Sequence, residues 1–283
     1  MKTGFDMLLW TTHVTEEFFP LLEKIKKAGY DGVEIPIFAG DVEHFEKLGK
    51  VIKDNGLACA SVTVIPDEEH NPISADGKNR KGAVEHLKWA IDCSAALNSD
   101  VLCGPLYQPL GVFTGEPPTE EEKHRAAEVH REASELAAKS NVALGIEFLN
   151  RFECYFLNTM ADAAAHVKRV DHPNCGVLYD TFHANIEEKD PVGAISKHID
   201  AINHVHISEN DRGTPGKGHI DWPGTFKALR SNGYDGWLVI EAFGRALPDL
   251  AAATRVWRDF FPDRDGVYTE GLNFVKQQWK AAG

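Results

Sequence analysis

The sequence lacks the features that would send a chain to a membrane, a nucleic acid or an oxidising compartment. No apolar run approaches the roughly 20 residues of a bilayer span. The opening MKTGFDMLLW has neither a basic leader segment nor a long apolar one. No membrane partner and a cytoplasmic location are therefore expected. Thirty Lys and Arg face 43 Asp and Glu, a formal charge of −13 with no basic cluster. That balance repels polyanions and argues against nucleic acid as a partner. Cys59, Cys93, Cys103, Cys154 and Cys175 are an odd set without a CxxC. A chain long enough to build its own core needs no covalent staples, so these are expected as buried, reduced thiols. Also missing are a Pro/Ser-rich linker, internal repeats, a GxSxG nucleophile elbow and a GxGxxG dinucleotide fingerprint. The stretch GTPGKGHID contains Gly-Lys but not the GxxxxGK[ST] spacing of a phosphate loop. Residues 1–283 are expected as a single domain.

What is present is alternation. Short β-branched runs at Gly4–Leu9, Gly32–Ile37, Leu57–Ile65, Val101–Leu106, Ala143–Leu149, Gly176–Asp180, Ile202–Ile207 and Trp237–Glu241 are separated by amphipathic stretches. Parallel strands joined by helical crossovers follow from that pattern. Thr119–Ser140 opens on a capping threonine with acids in its first turn, and turns Ala127, Val129, Leu136 and Ala137 to a core. Glu16–Ala28 spaces Phe18, Leu21, Leu22 and Ile25 helically and stops at Gly29. Eight such units predict a (β/α)8 TIM barrel, with an open doubly wound sheet as the alternative. The tail Tyr268–Trp279 predicts an extra C-terminal helix, outside the barrel or against another subunit. Longer loops at Pro66–Asn79 and Tyr107–Pro118 leave the carboxyl ends of strands, where they would wall a site.

The segment ALGIEFLNRFECYFLN carries Glu147 at the end of an apolar strand. An ionised carboxylate there is costly unless a cation or hydrogen-bond donors compensate it. Three later strands end in the same way, at Asp180, His206 and Glu241. In a barrel those ends converge on one mouth, so residues far apart in sequence can share one ion. Three carboxylates and an imidazole form a mostly hard set, suited to Mn²⁺, Mg²⁺ or Co²⁺ with open positions for substrate oxygens. Each acid alone is as well explained by a helix cap or a surface ion pair. The repetition at four consecutive strand ends is not. Glu153, His183 and Arg212 follow these positions by a few residues and supply hydrogen-bonding groups.

The strings GIEFLNRFE, LYDTFHANIEE, HVHISENDRGTPGKGHIDW and WLVIEAF resemble the signature segments of the ketose 3-epimerases. These are the D-tagatose, D-psicose and L-ribulose 3-epimerases among the xylose-isomerase-like barrels. The resemblance spans most of Gly145–Phe243 and is weaker in the first hundred residues. It implies that Glu147, Asp180, His206 and Glu241 hold one metal ion per subunit, commonly Mn²⁺. It also implies that Glu153, His183 and Arg212 bind the C1–C2 end of a free ketose, and that the protein is a homodimer or homotetramer. Inverting C3 requires a proton to leave next to a carbonyl and return on the opposite face, for which Glu147 and Glu241 are the expected acid/base pair.

Two positions depart from the family pattern: Asp6 stands where an aromatic is common, and Leu110 where a Trp often lies. Both would face the distal carbons, where Asp6 either bonds a hydroxyl or pairs with a neighbouring base. Glu34 either reaches the site or packs in an ion pair. Lys217 and His219 line a glycine-rich loop that could close over the sugar. His13, His70, His124 and His130 are expected to be exposed rather than functional. Competing readings are aldose–ketose isomerisation, inosose dehydration, an endonuclease-IV-like nuclease and a non-catalytic sugar-binding barrel. The nuclease would need more His ligands and a basic face.

Overall fold

The computed structural model describes residues 1–283. Eight parallel strands close on themselves in sequence order: β1 Lys2–Asp6, β2 Gly32–Pro36, β3 Ala58–Val62, β4 Ser99–Gly104, β5 Ala143–Glu147, β6 Cys175–Asp180, β7 Ile202–Ile207 and β8 Trp237–Ile240. Pairing of β8 with β1 completes the ring, which excludes the open sheet. Around it lie α1 Phe19–Ala28, α2 Val42–Asp54, α3 Gly77–Ala96, α4 Glu120–Lys139, α5 Met160–Val170, α6 Thr181–Glu187, α7 Pro191–His198, α8 Trp222–Ser231, α9 Pro248–Ala253 and α10 Arg264–Ala281.

Strand periodicity sorts the side chains into two compartments. Outward residues such as Phe5, Val33, Ile35, Leu102, Leu144, Val205 and Leu238 join the apolar layer between barrel and helices. Inward residues Ala60, Val62, Val101, Leu178, Trp237 and Val239 form a small separate cluster. Trp237 fills the barrel floor because Gly32 leaves room: a Cβ there would sit 2.5 Å from the indole. Above that floor the inward positions turn polar.

Local chemistry sets the element ends. Thr119 and Glu122 form the reciprocal cap of α4, each side chain bonding the other residue's backbone N–H. Helix α1 ends at Gly29, whose φ of +103° suits glycine. Strand β1 stops earlier than its apolar run predicts. The Asp6 carboxylate accepts from the Leu8 N–H at 2.8 Å and turns Met7–Leu9 into a short 3₁₀ helix. Helix α10 begins before the predicted Tyr268 because Asp263 caps it. It docks outside its own barrel, where Tyr30 donates to the Tyr268 carbonyl at 2.7 Å.

His130 departs from expectation. It is fully buried on the inner face of α4, with Nε2 2.7 Å from the Leu106 carbonyl and Nδ1 2.7 Å from His166 Nε2. Its i, i+3 and i+4 neighbours Ala133 and Ser134 are buried too, a periodicity outweighed at sequence level by the acids around it. His124 is exposed, as expected.

Candidate active site

The inward rule carries polar groups to the carboxyl end of the barrel. Glu147 ends β5, Asp180 ends β6, His206 is the penultimate residue of β7 and Glu241 follows β8. All four are at most 5 % exposed. Asp180 links two groups of ligand atoms within 4.8 Å of one another, one with Glu147 and His183, the other with His206 and Glu241. His206 Nδ1 lies 3.3 Å from Glu241 Oε1 and 3.8 Å from Asp180 Oδ2. That nitrogen is buried and has no hydrogen-bond partner. A converging set of three carboxylates and one unpartnered imidazole nitrogen fits a divalent cation by donor type, charge and number.

Seven carboxylates are buried: Asp6, Glu34, Glu147, Glu153, Asp180, Glu209 and Glu241. Arg212 is the sole buried Lys or Arg. Its backbone takes the left-handed conformation, φ +63°, uncommon outside glycine. The turn is held by the Arg212 N–H donating to the Glu209 carbonyl at 2.9 Å and by the Phe243 N–H donating to the Arg212 carbonyl at 3.0 Å. The guanidinium lies 3.8 Å over the Phe182 ring and 4.8 Å over Phe243. From there it contacts Glu241 Oε2, and reaches Asp180 Oδ2 at 3.3 Å and Glu153 Oε1 at 3.9 Å.

His183 is 1 % exposed and 3.6 Å from Glu147 Oε1 through Nε2. The Asn150 backbone N–H donates to its Nδ1 at 3.0 Å, which leaves the ring proton on Nε2. That nitrogen lies 3.1 Å from Arg212 Nη2, donor facing donor with no acceptor between them. Two N–H donors thus gather beside Glu147, a setting suited to an oxygen that develops negative charge. The Asn150 side chain also donates to Glu153 Oε1 at 2.8 Å.

The surroundings drive the two glutamates in opposite directions. Burial and the Glu241 charge push Glu147 well above the usual carboxylate range. Burial also raises Glu241, but Arg212 and His206 outweigh it and bring it below its ordinary value. Asp180 is pushed up to about 7 by burial and Glu241, against Arg212 and His206. Burial, Arg212 and His206 hold His183 well below its ordinary value, so it is neutral.

Asp6 has no basic partner, which removes the ion-pair alternative: one oxygen caps Leu8, and Oδ2 is buried and unpartnered. Leu110 is partly buried against the core. The glycine-rich loop is tied down rather than free. Glu209 accepts from the Gly216 N–H at 2.8 Å and from Trp222 Nε1 at 2.9 Å, and Lys217 pairs with Glu270 of α10. Residues not singled out in sequence include Asn150, His204, Glu209, Phe182 and Phe243. Only His204 left a readable signal, its i, i+2 spacing from His206 on one strand.

Comparison with known proteins follows this geometry. A sequence model described as the xylose isomerase-like TIM barrel matches residues 22–278. A probable ketose 3-epimerase of Synechocystis sp. is 30% identical over 283 residues, 99% of this chain and 97% of its own length. The ketose 3-epimerase of Arthrobacter globiformis is 31% identical, covering 99% and 98%. Among solved structures, an L-ribulose 3-epimerase superposes with a TM-score of 0.92 at 29% identity, covering 99% of this chain and 95% of its own. The D-psicose 3-epimerase of Clostridium cellulolyticum H10, solved with D-tagatose, gives 0.90 at 30% identity and 99% coverage of both chains.

Proposed function

This chain belongs to the xylose isomerase-like TIM-barrel family and, within it, to the ketose 3-epimerases, and from that membership we propose that it inverts C3 of a free ketose using Glu147 and Glu241. The supporting observation is the convergence of the two buried glutamates on Asp180 at the strand ends, set beside two N–H donors. Pairs whose surroundings push their pKa values apart divide naturally into an acid and a base. Glu241, the ionised member, removes the C3 proton from one epimer. Glu147, the protonated member, returns one on the opposite face, and the roles exchange in the reverse direction. His183 Nε2–H and the Arg212 guanidinium hold the oxygen on C2 as charge develops there. Glu153, fixed by Asn150, takes the hydroxyl on C1.

Glu147, Asp180, His206 and Glu241 are the proposed holders of one divalent cation, Mn²⁺ by preference over Mg²⁺ or Co²⁺. When bound, such a cation supplies a Lewis acid that polarises the C2 carbonyl and stabilises the enediolate. We further propose a cytoplasmic homodimer or homotetramer. Five buried free cysteines support the reducing compartment, and no helix is long and apolar enough to cross a membrane. Exposed Phe113, Phe152 and Trp257 are apolar surface that an assembly would cover, and light scattering in solution tests this.

The decisive experiment incubates Mn²⁺-loaded protein in deuterated water with D-fructose, D-tagatose, D-psicose and L-ribulose. Epimeric products labelled at C3 are expected. Label at C1 would assign aldose–ketose isomerisation instead, and no turnover of any ketose would refute the proposal.

A further inference from the structure

Beneath the proposed catalytic groups lies a second polar cluster. Glu34 rises from β2 and is fully buried. Across the barrel, His204 and His206 sit two apart on β7, so both imidazoles point inward. One carboxylate spans both: Glu34 Oε1 is 2.8 Å from His206 Nε2, and Oε2 is 2.8 Å from His204 Nε2. The Cys103 thiol donates to Oε2 at 3.3 Å. Burial raises Glu34, but the two imidazoles outweigh it and hold the group well below the usual carboxylate range.

Glu34, Cys103, His204 and His206 have the ligand types of a metal site, yet the spacing excludes one. Donors about 2.05 Å from a tetrahedral ion stand about 3.3 Å apart. The separations of 2.8 Å are too short for that, and the one to His206 is a hydrogen bond, whereas His204 Nε2 lies close to Oε2 without a bonding direction. The cluster therefore acts by orientation. With Nε2 engaged by Glu34, His206 presents Nδ1 to Asp180 and Glu241.

We propose that Glu34 is a positioning residue that fixes the ring plane and tautomer of His206, making Nδ1 the nitrogen available to a divalent cation, with the Cys103 thiol holding the second carboxylate oxygen in place. The inference rests on the proposed cation site, and the two can fail separately. A carboxylate behind a metal-binding imidazole typically contributes 10- to 100-fold in affinity. In Glu34→Gln the amide offers a proton where the carboxylate accepted one, so either His206 or the Cys103 thiol loses its acceptor.

Mn²⁺ alone is the probe, with free ion counted by electron paramagnetic resonance against wild type and Glu34→Gln. The dissociation constant is expected to rise about 10- to 100-fold. The KM for the ketose, measured at saturating Mn²⁺, should move less than about twofold, because Glu34 bonds His206 and Cys103 and none of the proposed sugar-binding residues. Equal Mn²⁺ affinity in the two proteins overturns the inference. Failure of wild type to bind Mn²⁺ refutes the cation site itself. Should Glu34→Gln not fold, wild type decides the matter. Long-range ¹H–¹⁵N correlation on Zn²⁺-loaded protein should show His206 protonated at Nε2 with Nδ1 shifted by the ion. The reverse assignment overturns the proposal.

Discussion

If Glu147 and Glu241 address opposite faces of C3, removing one should leave half of the exchange chemistry intact. In Glu147→Gln, Glu241 keeps its ionising partners: Arg212 at Oε2, and His206 Nδ1 3.3 Å from Oε1. It can still take the C3 proton of one epimer and return a deuteron to the same face. That epimer is expected to wash in solvent deuterium without inverting, while the other does neither. Glu241→Gln should show the complementary pattern at C3. Loss of one positioned acid or base costs about 10²- to 10⁴-fold, equivalent to roughly 2.7–5.4 kcal/mol of barrier. Epimerisation should fall by that amount in both variants. Folding should be spared in Glu241→Gln, because the Glu241 charge is among the groups that push Glu147 and Asp180 upward. The assay is ¹H NMR of each pure epimer in deuterated water, at saturating Mn²⁺ with occupancy checked. Equal wash-in to both epimers in either single variant would mean one base serves both faces, and the two-carboxylate scheme would be wrong.

Arg212→Lys should lower kcat by about 10²- to 10³-fold, because an ammonium cannot reach Asp180, Glu241 and His183 together or lie flat between Phe182 and Phe243; steady-state kinetics at saturating Mn²⁺ checks it. Mn²⁺ affinity should rise from pH 6 to pH 8. Asp180 is pushed up to about 7 and Glu147 well above the usual carboxylate range, so protons compete with the ion at the lower pH. Calorimetry in two buffers of different ionisation enthalpy should detect released protons at pH 6.5, and a pH-independent affinity would contradict the cluster. Free Mn²⁺ at 100 times its dissociation constant should stabilise the fold by about 2.7 kcal/mol. For a chain of this length that is roughly 5 °C in Tm, and a melt unchanged by chelator would refute it. Thr119→Ala breaks the cap of α4 and should cost about 1 kcal/mol in a urea melt.

Much of the barrel could be read from the sequence because its signals are local. Period-two runs place strands, and a strand ending in a carboxylate needs no tertiary information to stand out. What escaped depends on partners remote in sequence. Glu34 and His206 are 172 residues apart, and nothing near either predicts that they meet. Asn150 resembles any turn asparagine until His183 and Glu153 arrive from their own directions. The positive φ of Arg212 is equally invisible, because it is imposed by Glu209 and Phe243 rather than favoured by arginine. The early stop of β1 was in principle visible, since Asp6 interrupts an apolar run and a side chain accepting from the residue two on is a familiar turn. The apolar residues Met7, Leu8 and Leu9 masked it.

The buried charges explain why these groups sit at the carboxyl end of the barrel and not elsewhere in the core. Two of the seven buried carboxylates are satisfied within the protein: Glu209 by backbone and indole N–H groups, and Glu34 by the His206 imidazole and the Cys103 thiol. Asp6 has half of its oxygens answered by Leu8. Asp180 caps α6 through one oxygen, which accepts from the Phe182 N–H, and beyond that Glu147, Glu153, Asp180 and Glu241 are left to share one guanidinium, two imidazoles and the Asn150 amide. Four ionised acids at such spacing exceed what those donors can neutralise, and raised proton affinity is the result for Glu147, Glu153 and Asp180. A divalent cation reverses that tendency, since it favours the ionised form of every acid around it. The same shortage of positive charge that raises these acids is what the proposed divalent cation would make good. Proton affinity and cation affinity are therefore one electrostatic property of this cluster, and a substitution that adds a buried positive charge near Asp180 should weaken both together.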